Sequence, residues 1–157
     1  MQGSNFDEAE FFQAIAACSV RALLIGRRAL VALGIPVLTA DYDFWLHIDD
    51  IATFNAALEP LGPFPTREPD EARRRGRYAL ENDEHVDVLV ARTVPTVDGL
   101  PVAFDDVWSR RRALEVAPGA LVAVPALDDL ILTKRFGGRP KDLEDIRLLE
   151  ALRSEER

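Results

Sequence analysis

Three aspartates stand where their types and spacing could do chemistry. Asp41 and Asp43 flank Tyr42 at the head of an aromatic, branched run, residues 42–48. Residues two apart in a strand share a face, ~7 Å apart along the chain. Two acids leaning over one patch of sheet repel unless a cation or a positive partner offsets them. Asp87 falls in a second alternating run, HVDVLV, so a third acid lies on a strand that can neighbour the first. Carboxylates so arranged are ordinary oxygen ligands for Mg²⁺. Two such ions about 3.5–4 Å apart can activate a hydroxyl and stabilise a leaving oxygen in phosphoryl or nucleotidyl transfer. The plain alternative is a solvated sheet edge, where acids are common. Ahead of the pair, an apolar run stops at Gly26 and a short helix follows. Backbone N–H groups at a helix start after glycine make an anion site on which a triphosphate can rest.

The elements that must hold these residues follow from periodicity. Asn5 and Glu8 have the spacing of a capping box, and Phe11, Phe12, Ile15 and Ala16 recur at helical spacing, predicting a helix over 6–19. Residues 22–25 read as a strand, and 27–33 as a helix closed by Gly34 and Pro36. The strand at 42–48 puts Tyr42, Phe44, Leu46 and Ile48 on one face, and Asp41, Asp43, Trp45 and His47 on the other. Asp49 or Asp50 caps the next helix, whose face is Ile51, Phe54, Ala57 and Leu58. Four prolines between 59 and 76, followed by the run Arg73, Arg74 and Arg75, predict a mobile connector, the best candidate for a lid. Residues 77–81 and 85–91 read as a hairpin around Asn82 and Asp83. Residues 92–101 read as a Pro- and Gly-punctuated loop, 105–112 as a short segment around Trp108, and 120–124 as a short strand. Pro125 and Pro140 open two final helices. The first carries Leu127, Leu130, Ile131 and Lys134 on one side and ends at Gly137 and Gly138. The second presents Leu143, Ile146, Leu149 and Leu152.

Composition narrows the class. The 157 residues, 48% of them hydrophobic, suit one compact domain. A net charge of −8 argues against a broadly basic nucleic-acid binder and leaves room for local basic patches. Cys18 is the single cysteine and has no internal disulfide partner; core packing is its expected role. No apolar run reaches the ~18 residues of a membrane span, and MQGSNFDEAE is acidic where a signal peptide is basic. A cytoplasmic protein without a membrane partner is expected.

Strand, glycine turn, short helix, then GIPVLTADYDFWL and a later acid in HVDVLV resemble the nucleotidyltransferases of the DNA polymerase beta-like superfamily. The stretch VPALDDLILTKRFGGRPKDLEDIRLLEAL is similar to that of the small bacterial AbiEii toxin-like, minimal nucleotidyltransferases. The likeness spans roughly residues 20–152. It implies an α+β fold, a small mixed sheet with helices on one side and a C-terminal helical pair. It also implies transfer of an NMP from an NTP, ATP included, to a hydroxyl of RNA such as tRNA, or of a protein. Two Mg²⁺ ions and a cognate toxin–antitoxin partner belong to the same expectation. Residue by residue, Gly26 matches the first glycine of the nucleotide turn, Asp41 and Asp43 the metal pair, and Asp87 the third carboxylate, a metal ligand or base. Lys134 matches the lysine near the phosphates, and Arg139, Lys141, Asp142 and Asp145 match the C-terminal motif. Helix capping and a surface ion-pair network are the alternative role for Asp142 and Asp145.

Two positions depart from the pattern. Arg27 stands where the family has a small residue, and Val37 where it has a basic one ahead of the threonine. Arg27 either blocks the backbone's approach to phosphate or grips phosphate with its guanidinium. The first outcome implies a catalytically inactive, nucleotidyltransferase-like interaction protein, and a metal-dependent phosphohydrolase is a third reading. His47 and His85 read as polar sheet-face residues, and Trp45 and Trp108 as core or groove residues rather than base-stacking platforms. Arg73–Arg75 and Arg110–Arg112 read as solvated runs able to guide a polyanion.

Overall fold

The computed structural model describes residues 6–96, 99–135 (backbone only at 135) and 139–156. The chain begins with helix α1 (Glu8–Ala17), then strand β1 (Ala22–Ile25), helix α2 (Gly26–Ala32), strand β2 (Tyr42–Leu46) and helix α3 (Ile51–Leu58). A 3₁₀ turn (Glu59–Leu61), β3 (Phe64–Pro65) and α4 (Pro69–Arg75) lead to the hairpin β4 (Arg77–Glu81) and β5 (His85–Leu89). Next come β6 (Thr93–Pro95), β7 (Pro101–Ala103), α5 (Phe104–Ser109), β8 (Arg112–Ala117) and β9 (Ala120–Val124). Helices α6 (Leu127–Arg135) and α7 (Pro140–Glu155) complete the chain.

Seven strands form one mixed sheet in the order β3-β4-β5-β2-β1-β9-β8, with β6 and β7 as a separate antiparallel ribbon. Parallel pairing joins β2 to β5 and β1 to β9. The architecture is the α+β arrangement expected, with the acid-bearing strands β2 and β5 adjacent near the sheet's centre. Strand alternation splits the packing. Leu24, Phe44, Val86 and Val88 face a core completed by Phe11 and Phe12 of α1 and Phe54 and Leu58 of α3. Leu23 and Trp45 point the other way, into a smaller core with Val102, Phe104 and Val107. The acids share that second face, because Asp43 alternates with Phe44 and Asp87 with Val88.

Several local expectations change. Asp7 is the N-cap of α1, accepting from the Glu10 N–H at 3.2 Å; Asn5 lies outside the described residues. Asp50 stands at the N-cap of α3 without capping it, since its carboxylate takes the Arg21 backbone N–H and guanidinium instead. The stretch 59–76 is not a loose connector: Pro69 opens α4, Ala72 is fully buried, and Gly76 ends the helix in the left-handed conformation that glycine adopts freely. Pro60 lies in the 3₁₀ turn, Pro65 in β3 and Pro69 at the start of α4, so proline marked ordered element ends there rather than disorder. The stretch 92–101 carries β6 and the first residue of β7, and β8 had no clear signature because charged Arg112 and Glu115 interrupt its apolar pattern. The glycines placed at the end of α6 lie outside the described residues. On α7 the buried stripe is Asp142, Asp145, Ile146 and Leu149, while Leu143 is 52% exposed. Ile146 and Leu149 lie on the stripe expected and Leu152 packs against the core, but Asp142 and Asp145 join it at positions that periodicity did not assign to the core.

Candidate active site

The register of two parallel strands assembles the acidic centre. Asp43 is paired with Asp87 across β2 and β5, and with Ile25 across β2 and β1. Neighbouring strands lie ≈ 4.8 Å apart, so the two carboxyl groups stand side by side. Ile25 is followed by Gly26 at φ 70°, and a Cβ on Gly26 would run into the Asp43 carboxylate. Glycine is therefore required for both its backbone angle and its lack of a side chain. Burial pushes the Asp43 carboxyl up to about 6, with the Asp87 and Asp41 charges adding to the shift and Lys134 and Lys141 opposing it.

Asp41 lies just before β2 and is exposed. Its N–H donates to Thr39 Oγ1 at 3.1 Å. Arg28 straps the same loop, donating to the carbonyls of Thr39 at 3.2 Å and Asp41 at 3.4 Å while its guanidinium lies 4.1 Å over the Tyr42 ring. Asp87 Oδ1 is 2.9 Å from His85 Nε2, and His85 Nδ1 is 3.1 Å from Glu81. The bond to Asp87, more than the one to Glu81, raises the His85 pKa. Arg28 and His85 thus shape the site; sequence reasoning passed over Arg28 and read His85 only as a polar sheet-face residue. For Arg28 the partners are loop carbonyls with no sequence signature; for His85 the i, i+2 spacing to Asp87 was the available signal.

A cleft of about 310 Å³ opens beside these acids, walled by Gly26, Asp43, Lys134, Arg139 and Asp142 and floored in part by Leu89. Lys134 Nζ bonds Asp145 Oδ2 at 2.9 Å, with both side chains nearly inaccessible to solvent. Asp142 accepts from the Arg139 backbone at 3.3 Å and from its Nε at 2.9 Å, a side-chain and backbone closure of the α7 start. Asp142 and Asp145 are 3% and 0% exposed, so of the alternative role the capping holds for Asp142 but the ion-pair network is buried rather than on the surface. Arg27 is not on the cleft wall. Its Nε lies 3.2 Å from both Asp145 oxygens, its Nη2 3.1 Å from Oδ1, and its Nη1 donates to the Leu38 carbonyl. The guanidinium neither fills the turn nor reaches into the cleft. Lys141 is exposed on the first turn of α7.

The basic runs are partly engaged. Arg110 forks onto Asp129, Arg111 lies 4.0 Å over the Trp108 ring, and Arg112 reaches Glu156 at 3.5 Å. Trp45 is fully buried, with Nε1 donating to the Ala91 carbonyl. Trp108 stacks on Phe104. Both tryptophans match the core or groove role expected. Among the described residues, no three His, Cys, Asp or Glu side chains converge into a ready-made metal cage.

No protein-family model matches the chain, and no curated protein matches it. Solved structures do. A Thermotoga maritima protein described as a nucleotidyltransferase superposes with a TM-score of 0.60 at 15% identity, covering 94% of this chain and 90% of its own. The antibiotic-resistance factor ANT(2″)-Ia gives 0.63 at 18% identity over 89% of this chain and 78% of that one. The lincomycin-bound lincosamide antibiotic adenylyltransferase LnuA gives 0.60 at 16% identity over 94% and 98%. The fold of this chain is the nucleotidyltransferase fold.

Proposed function

We propose that the cleft transfers a nucleoside monophosphate from an NTP to an acceptor hydroxyl, with pyrophosphate leaving. The observation that carries this reading is the in-register Asp43–Asp87 pair against Gly26, where burial and mutual repulsion leave Asp43 short of a cation. The residues suit Mg²⁺, which takes one or two carboxylates and completes its shell with substrate phosphates and water rather than an all-protein cage. Asp43 and Asp87, with Asp41 at the rim, would hold the one or two ions; when bound, these supply phosphate charge neutralisation and a more acidic acceptor hydroxyl. Lys134 binds the polyphosphate from the cleft wall, and Arg139 meets it from the rim. Gly26 lets the backbone at the α2 start come close. In the transfer, the acceptor oxygen bonds to the α-phosphorus, the α–β bridging bond breaks, and Asp87 receives the acceptor proton. His85 holds that carboxylate in place.

The rival reading, a retired enzyme whose Arg27 closes the phosphate site, finds no support in an Arg27 drawn away to Asp145. For the acceptor, the AbiEii-like resemblance favours a hydroxyl of tRNA or protein within a toxin–antitoxin pair. A second reading takes a small antibiotic-like hydroxyl. It is favoured by the solved neighbours, one bound to lincomycin and one in complex with adenylyl-2″-tobramycin, and by a cleft of small-ligand size. Incubation with each α-labelled NTP, Mg²⁺ and, in turn, cell RNA, cell protein, a lincosamide and an aminoglycoside decides. Label should pass to one acceptor class with pyrophosphate release, and Asp43→Asn should slow transfer by about a hundredfold or more. Phosphate release without transfer would make the protein a phosphohydrolase. Absence of transfer and of NTP binding in the wild type would end the proposal.

A further inference from the structure

Behind the wall of the cleft lies a charge cluster that the transfer chemistry does not itself use. Asp145 of α7 has no exposed surface and receives two cations, Arg27 from α2 and Lys134 from α6. Lys134 lines the cleft, while Arg27 and Asp145 stand behind it. Arg27 also sits 3.5 Å from Glu144, a residue whose side chain is 65% exposed and therefore well screened by water.

The charge count is the significant feature. A lysine–aspartate pair alone presents a dipole to the cleft and no net charge. A polyphosphate approaching it would have to compete with Asp145 for Lys134. With Arg27 forking onto both Asp145 oxygens, the buried carboxylate is neutralised from the rear and the triad keeps one net positive charge. That charge is carried by the one member on the cleft wall, whose side chain is only 7% exposed.

We propose that Arg27 is a positioning residue that balances Asp145, leaving the Lys134 ammonium free in charge to attract a polyphosphate it never touches itself. This rests on reading the cleft as a nucleotide site. It differs from both roles the sequence left open for Arg27, blocking phosphate or gripping it. It also requires affinity to follow the net charge of the triad rather than the presence of any one side chain: plus one in the wild type, zero in Arg27→Met, plus two in Asp145→Asn, and plus one again in the double variant.

The test titrates the full chain with inorganic tripolyphosphate and Mg²⁺ by calorimetry at low salt, beside thermal melting of each variant. Arg27→Met should weaken binding by about tenfold or more, and Arg27→Met/Asp145→Asn should bring it back to within about threefold of wild type. Glu144→Gln should leave it unchanged. If Arg27→Met does not fold, Arg27→Lys keeps the charge and should hold affinity within about threefold. A purely structural tie between the helices predicts the reverse, a double variant at least as impaired as either single one. That result, or unchanged binding in Arg27→Met, or lost binding in a folded Arg27→Lys, overturns the inference while leaving the nucleotide site standing. A wild type that binds neither tripolyphosphate nor any of the four NTPs removes both.

Discussion

Asp43 is the residue at which function works against stability. Its carboxyl titrates at about 6 in the folded chain against an ordinary 3.8, because it is buried beside Asp87 and Asp41. Between those two values the folded protein keeps a proton that the unfolded chain releases, so stability falls as pH rises through the window. Below about pH 4 both states are protonated and the residue contributes nothing; above about pH 6 the full penalty is present. Metal-free Asp43→Asn should therefore be more stable than wild type at pH 7.5, by at most about 3 kcal/mol, with the gap closing near pH 4. Equal melting differences at both pH values would show that the penalty of burial and repulsion is absent. In the sequence, the D-x-D spacing exposed the pair on one face, but Asp43 and Asp41 turn out unequal. One is enclosed by strand pairing and the other hangs on the Thr39 loop, a distinction that no local pattern encodes.

At the scale of the element, α7 shows how periodicity can find a stripe and miss its edge. Leu143, Ile146, Leu149 and Leu152 have helical spacing, yet the buried face is rotated to include Asp142 and Asp145 and to release Leu143. The rotation follows from the partners: Arg139 holds Asp142, and Arg27 and Lys134 hold Asp145, so both acids are buried with their charges met. Leu149→Ala should cost about 2–5 kcal/mol in urea unfolding, as core truncations do. Leu143→Glu should stay within about 0.5 kcal/mol, as surface changes usually do. A large loss from Leu143→Glu would restore the stripe drawn from periodicity alone. Strands β1, β4 and β5 were legible nearly to the residue, because alternation and turn residues are local signals. The β6–β7 ribbon and β8 were not, because short strands whose pairing supplies their stability carry little pattern of their own.

Over the whole molecule, the sheet order places Asp43, the glycine turn and the α6–α7 pair around one cleft although they are spread from residue 26 to residue 142. Among the described residues no helix is long and apolar enough to cross a membrane. A ligand that binds only the assembled cleft must stabilise the fold by mass action. Mg²⁺–NTP at a hundred times its Kd should add about 2.7 kcal/mol, read as a rise in Tm that shrinks in Asp43→Asn. An unchanged Tm at saturating Mg²⁺–NTP would contradict the cleft's assignment. From the sequence alone came the strand acids, the glycine before the short helix, the two final helices, the second opened by Pro140 and the first starting two residues past Pro125, and the resemblance that joins them, since each is a matter of residue type and short-range spacing. The tertiary structure alone decided that Asp43 meets Asp87 in register, that Asp142 and Asp145 are buried, and that Arg27 turns to Asp145 instead of to the cleft. Those outcomes depend on partners up to 118 residues away, and a side chain's choice among distant charges is settled only when packing brings them within reach.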